Sequence, residues 1–389
     1  MPLFVSRSGR DKGQPHAQAV LTSKIPPAEV PLDRRCGVVH FGSSAPTTRW
    51  RQKHHRRSGA GAQVFSEPWP THWTSVQFSP TMSSMQPLTQ SHCALEAKVL
   101  GALGRPAIHR PGVMIYQQDC VEALRSLPTG LVDLTVTSPP YNIGKEYETE
   151  TDVDRYVAWC QEWIDGIAEA SAPGSAFWLN VGYLPLPGRG KAVPISYLLW
   201  DKVPMHFVQE IVWNYAAGVA SRKSFSPRNE KFLWYVKNPS SYTFNLDDVR
   251  DSNVKYPNQK KNGKLKCNPL GKNPTDVWEI PKVTSGKDRA SAERTPHPAQ
   301  FPIAVIDRVV RACSNRGDLI LDPFMGSGTT AEVALATGRF VLGFELEPRY
   351  IEIARHRIDA YANWEQGVRA QRALPIFEQE PQLATLDFG

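Results

Sequence analysis

Ser138, Pro139, Pro140 and Tyr141 follow directly on "VDLTVT", a run of apolar and β-branched residues with the texture of a buried strand. Proline has no place in the middle of such a strand, so the turn it makes has to present something. The two prolines stiffen the backbone and remove N–H donors, which leaves strand-end carbonyls to accept hydrogen bonds beside the Ser138 hydroxyl. Tyr141 adds an aromatic face. A second stretch, "DLILDPFMGSGTTAEVALATG" (residues 318–338), ends an apolar run at Asp322 and Pro323, passes through Phe324, Gly326, Ser327, Gly328 and Thr329, and enters a helical pattern. Glycines at a strand-to-helix turn let a ligand approach the backbone, and the helix behind them offers unsatisfied N–H groups and a positive dipole end. A triphosphate is disfavoured, because no lysine precedes Thr329 and Thr330. The next apolar run, "RFVLGFEL", closes near Glu345, where doubly wound folds place an acid against ribose hydroxyls. An adenosyl group joined to an amino acid satisfies both features.

These residues need strands and helices to carry them. "GVMIYQQD", "VDLTVTS", "SAFWLNVG", "FVQEIVWNY", "KFLWYVK", "DLILDPF" and "RFVLGFEL" are short and rich in β-branched or aromatic residues. Between them lie helical patterns. In "DVDRYVAWCQEWIDGIAEA" the residues Tyr156, Trp159, Cys160, Trp163 and Ile167 recur at helical spacing, which predicts a core-facing helix capped by Asp152. Strands alternating with helices predict an α/β fold, a mostly parallel sheet covered on both faces. One region, residues 216–296, breaks the alternation: it is polar, and "KYPNQKKNGKLK" within it carries five lysines and no acid. That sign suits a phosphate backbone.

Together these stretches resemble the amino-methylating DNA methyltransferases, which move a methyl group from S-adenosyl-methionine to an exocyclic nitrogen of cytosine or adenine. The resemblance spans residues 112–360. Ser138, Pro139, Pro140 and Tyr141 match the catalytic tetrapeptide of that family. Asp322, Pro323, Phe324, Gly326, Ser327, Gly328 and Thr329 match its cofactor loop, and "HPAQFP" (residues 297–302) looks like its accessory cofactor segment. By the same resemblance Asp119 would reach the adenine of the cofactor and Glu345 its ribose. The catalytic motif precedes the basic region and the cofactor loop follows it, as in the permuted beta group of the family. A doubly wound, mostly parallel sheet of about seven strands with one antiparallel member is then implied. Residues 216–296 would be the target-recognition region within a methyltransferase domain of residues 96–364. One departure stands out: the family usually has His-Glu before the strand matched by "KFLWYVK", and this chain has Asn229-Glu230.

The implied substrate is double-stranded DNA with the target base extruded from the stack. Ser138 Oγ and the Pro139 carbonyl would hold the amino hydrogens and Tyr141 would stack on the ring, with no metal required. Ser in the first position of the tetrapeptide points to cytosine N4 rather than adenine N6. Trp213 is a further candidate for the pocket and His297 for the cofactor wall. A restriction endonuclease acting on the same site is the implied partner. The alternative from another class is a nucleic-acid-binding module that keeps the fold without turnover.

Composition agrees with a polyanionic partner: 389 residues carry a net charge of +7 with 41% hydrophobic content. Six cysteines without a C-x-x-C pair argue against a disulfide framework or a structural zinc site, and no long apolar run predicts a membrane span, so a cytoplasmic protein is expected. Residues 1–95 read as a mostly disordered basic and Pro-rich leader, and 365–389 as an irregular tail.

Overall fold

The computed structural model describes residues 90–217, 220, 222–285, 291 and 293–373, which places the first 89 residues of the expected leader, Ser221 and the end of the tail outside the described residues. In chain order the helices are α1 (Gln90–Leu103), α2 (Cys120–Ser126), α3 (Val153–Ala170), α4 (Ser196–Leu199), α5 (Ile303–Cys313), α6 (Thr329–Ala336) and α7 (Pro348–Ala373). The strands of the first half are β1 (Ile108–Arg110), β2 (Val113–Tyr116), β3 (Val132–Thr137), β4 (Ser171–Val181), β5 (Tyr183–Leu186), β6 (Gly190–Pro194) and β7 (His206–Asn214). Those of the second are β8 (Asn229–Val236), β9 (Lys260–Lys261), β10 (Lys264–Leu265), β11 (Val277–Glu279), β12 (Leu319–Asp322) and β13 (Phe340–Phe344).

Nine of these strands form one sheet in the order β1-β2-β13-β12-β3-β4-β8-β7-β11. Its seven inner members are the seven strands expected from the sequence, and β8 runs antiparallel to both β4 and β7 while the other inner pairs are parallel. The sheet exceeds the expected seven because two three-residue strands, β1 and β11, are added at its edges. Both are too short to show a period of their own.

Along β4 the side chains alternate between two cores: Ala176 and Trp178 face one, Phe177, Leu179 and Val181 the other. Helices α5, α6 and α7 cover the first face, and α1, α2 and α3 the second. This double burial is why the strands read as nearly continuous apolar runs. The expected α3 begins where its cap predicts, with Asp152 accepting from the Arg155 N–H at 3.0 Å. Helix α7 continues to Ala373, past residue 365 where an irregular tail was expected.

Residues 216–296 are not one excursion. β8 is an inner strand of the sheet, with Trp178 opposite Trp234, and β11 pairs in parallel with β7. Three polar stretches remain, 215–228 and 237–276 on either side of β8 and 280–296 after β11. Where the chain turns is what positions the site. From β3 it continues through α3 to β4 on one side, and from β12 through α6 to β13 on the other. The carboxyl ends of β3 and β12 therefore lie side by side at the point where the winding reverses, the place where open α/β sheets bind ligands.

Candidate active site

A cavity of about 790 Å³ opens at that point. Ser138, Pro139, Pro140 and Tyr141 line it from β3, and Asp322, Pro323, Phe324, Gly326, Ser327 and Thr329 from β12. Asp119 at the start of α2 and Glu345 after β13 complete the wall, together with Trp213 and His297. Gly328 lies just behind, as the residue before α6.

Asp322 joins the two loops. It is 2% exposed, and its carboxylate accepts from Thr137 Oγ1 at 2.7 Å, from Thr330 Oγ1 at 2.6 Å and from the Phe324 N–H at 3.2 Å. Burial pushes its pKa up to about 6 despite these donors. Asp322, expected as part of the cofactor loop, thus lines the cavity and braces that loop from beneath. Glu345 accepts from the Gly326 N–H at 2.9 Å and the Glu347 N–H at 2.8 Å, and its own burial raises its pKa. Asp119 Oδ1 caps α2 through Val121 and Glu122, which leaves Oδ2 for a ligand donor.

Two glycines are needed for their lack of a side chain. Gly326 sits at φ +53°, where a Cβ would come within 3.0 Å of His297 Nε2, and Gly328 at φ +79°, where it would strike Ala354 of α7 at 2.8 Å. His297 accepts the Ala299 N–H on Nδ1, so its Nε2 carries the hydrogen in the neutral ring. Burial lowers its pKa to about 4, and it packs edge-on to Tyr350 at 4.2 Å between centroids. These features fit an adenosyl amino acid: carboxylates for hydroxyl and amino groups, bare backbone for close approach, and Phe324 for an apolar face.

At the other loop Tyr141 O–H donates to Asn180 Oδ1 at 2.8 Å, and Ser138 Oγ lies 2.9 Å from the same phenol oxygen. A phenol has one hydrogen. With it given to Asn180, Ser138 donates to Tyr141 and keeps its lone pairs facing the cavity. The Pro140 carbonyl accepts from Tyr156 O–H at 2.9 Å, while no described donor reaches the Pro139 carbonyl. Gly182 makes room for the Tyr141 ring, because a Cβ there would meet its Cε2 at 2.8 Å. Glu230 Oε2 approaches the Tyr141 hydroxyl at 3.2 Å and forms an ion pair with Lys282, whose Nζ lies 3.9 Å from the centre of the Tyr215 ring. Burial, then the Glu230 charge, hold the Tyr141 pKa well above its ordinary value, so the phenol stays protonated. Asn180, Gly182, Tyr156 and Lys282 had no motif to announce them; Glu230 was visible only as the neighbour of the unexpected Asn229.

The pattern of the family described as DNA methylase, the N6/N4 methyltransferases, matches residues 132–356, more than half of the chain and both loops of the cavity. The chain belongs to this family. It is a DNA methyltransferase, and its cofactor is S-adenosyl-methionine. It is 61% identical over 266 residues to the type II methyltransferase M.ScaI of Streptomyces caespitosus, covering 68% of this chain and 88% of that one. Over 247 residues it is 37% identical to the type II methyltransferase M.BglII of Bacillus subtilis, covering 62% of this chain and 67% of that one. Among solved structures the PvuII DNA methyltransferase (cytosine-N4-specific) shares the fold, with a TM-score of 0.52 at 20% identity over 68% of this chain and 96% of that one. Among the described residues no helix is long and apolar enough to cross a membrane.

The brace between the loops has a pH signature. Because the folded-state pKa of Asp322 lies above the ordinary value of 3.8, the folded protein holds this proton more tightly than the unfolded chain, and the resulting stability is lost as pH rises from about 4 to about 6. Denaturant titrations across that range should show the wild type losing stability relative to Asp322→Asn; parallel pH curves for the two proteins would mean that the carboxyl is not buried as described.

Proposed function

We propose that this methyltransferase modifies the N4 amine of a cytosine flipped out of double-stranded DNA. The observation that carries the reading is the hydroxyl chain from Ser138 through Tyr141 to Asn180, which leaves Ser138 Oγ able to accept beside Pro139 in the wall of the cavity; the Pro139 carbonyl is the second acceptor on this account. An exocyclic aromatic amine is a poor nucleophile, since its lone pair is conjugated with the ring. Two acceptors that take its two hydrogens favour a pyramidal nitrogen and aim the lone pair. Bound S-adenosyl-methionine supplies an electrophilic methyl carbon on its sulfonium. Tyr141 stacks on the base, and Pro139 and Pro140 hold the turn rigid, so the chain contributes position and oriented dipoles rather than a covalent bond. Asp119, Glu345 and the backbone of Pro323, Phe324, Gly326, Ser327, Gly328 and Thr329 hold the cofactor, with Asp322 fixing the loop. Ser138 and the cytosine-N4-specific neighbour both favour cytosine over adenine.

The two excursions flanking β8 form the target-recognition region. In the second, β9 and β10 make a hairpin with Lys261 directly opposite Lys264 and a turn at Asn262 (φ 52°) and Gly263 (φ 76°). Like charges opposed across a ribbon repel, and an anionic partner removes the repulsion. A two-stranded ribbon is also a size the major groove admits. By likeness to relatives named as type II methyltransferases, the enzyme serves a restriction-modification system in the cytoplasm, marking sites that a separate endonuclease would cut.

Plasmid DNA incubated with the protein and labelled S-adenosyl-methionine should yield N4-methylcytosine on nucleoside mass analysis. N6-methyladenine would overturn the base assignment alone, and no label at all would overturn the reading of the site. Ser138→Ala should slow methyl transfer by about a hundredfold with cofactor affinity little changed, on the scale of a lost oriented hydrogen-bond partner; unchanged single-turnover rates would remove Ser138 from the chemistry. For Lys261→Gln/Lys264→Gln, the slope of log affinity for duplex DNA against log salt should flatten by about 2, roughly 0.9 for each phosphate no longer neutralised, and an unaltered slope would place the hairpin away from DNA.

A further inference from the structure

Phe225 is 101% exposed, more than any other large hydrophobic residue described in the fold, where the next is Tyr197 at 72%. A single exposed aromatic is ordinary on a protein surface; what sets this ring apart is its place among cationic residues on a loop rooted beside the active-site cavity. It lies on the first excursion, in "SRKSFSPRNE", after Arg222 and Lys223 and before Arg228. The base of that excursion is firmly tied. Tyr215 N–H donates to the Arg228 carbonyl at 3.0 Å, Arg228 Nη1 to the Ala216 carbonyl at 3.2 Å, and Ala216 N–H to Asn214 Oδ1 at 3.1 Å. It springs from strand ends that border the active-site cavity, since Trp213 pairs with Glu230 and both line it. A pinned neck at the mouth of the cavity therefore carries an unsupported aromatic ring amid cationic residues.

We propose that Phe225 is the wedge that holds the target base out of the duplex. On this account, which rests on the base-flipping reading above, Arg222 engages the phosphate backbone and the Phe225 ring enters the space the base leaves. There it stacks on the neighbouring pairs and keeps the base from returning. Apolar side chains inserted between base steps do this in other DNA-bending proteins, and an aromatic face stacks on any base. Phe225 is thus a positioning residue. It touches neither the reacting nitrogen nor the cofactor, and it acts on the equilibrium between stacked and extruded target.

The test uses the full-length protein and two synthetic duplexes containing a methylation site mapped on plasmid DNA. One is fully paired. In the other the target base faces an abasic position, so unpairing costs nothing further. Phe225→Ala should lower the single-turnover rate on the paired duplex by about tenfold or more, with cofactor affinity unchanged, and should come within about twofold of wild type on the abasic duplex. Phe225→Trp should retain most of the paired-duplex rate. An equal loss on both duplexes, or no loss on the paired one, would overturn the wedge while leaving the methyltransferase reading intact. Wild-type protein that methylates neither duplex would overturn that reading and the wedge with it.

Discussion

A hydrogen bond of 2.7 Å between Thr137 and Asp322 crosses the place where the winding of the sheet reverses. One partner ends the strand that carries Ser138, and the other ends the strand that carries the cofactor loop. Any methyl transfer at this cavity requires the two loops to keep a fixed separation; the β3–β12 ladder sets it, and this buried bond, extended by Thr330, carries it past the strand ends. Burying a carboxylate is costly without donors. Asp322 has three, two from threonine hydroxyls whose residues are themselves almost fully buried. Removing Thr330 would leave Oδ2 without a donor, a greater loss than the modest net worth of the bond itself.

The cofactor loop is also held from behind. Arg357 of α7 is 6% exposed, pairs with Glu332 of α6 through Nε at 2.7 Å, and donates through Nη1 to Thr329 Oγ1 at 2.8 Å and to Ser327 Oγ at 3.1 Å. Ala354, one helical turn earlier, fills the space that Gly328 leaves. The loop is clamped between β3 in front and α7 behind, so the bare backbone at Gly326 can face a ligand without the loop collapsing into the cavity. Pairing makes the buried guanidinium tolerable, and its worth lies in geometry more than in stability.

Much of this was legible in the sequence, for specific reasons. Apart from β7, whose residues run from exposed to buried, the inner strands are buried on both faces, so their apolar runs stood out. Asp152 and the spacing from Tyr156 to Ile167 marked α3 because a cap and a helical period are local signals. Both ligand loops were visible because proline and glycine reveal what the backbone must do. Asn180, Gly182, Tyr156 and Lys282 were not visible as site residues, because each is brought to the cavity from afar: Asn180 by a strand, Tyr156 by a helix, and Gly182 and Lys282 by the loops that follow strands. Residues 216–296 read as one excursion on their polar composition even though "KFLWYVK" within them reads as a strand, because composition averages over the strand that divides the region. Asp322 was legible as part of the loop but its bracing contact with Thr137 was not, since a motif shows which residues cluster and not which atom points where.

The order of the motifs has a consequence for the birth of the protein. A ribosome releases Ser138 and Tyr141 about two hundred residues before Ala354 and Arg357, the α7 residues that hold the glycine-containing loop from behind. Domains mature as units during synthesis. A chain that stops before α7 therefore carries Ser138 and Tyr141 without the buttress behind Gly328 and Thr329, so the two halves of the cavity cannot take their folded arrangement until α7 has been made.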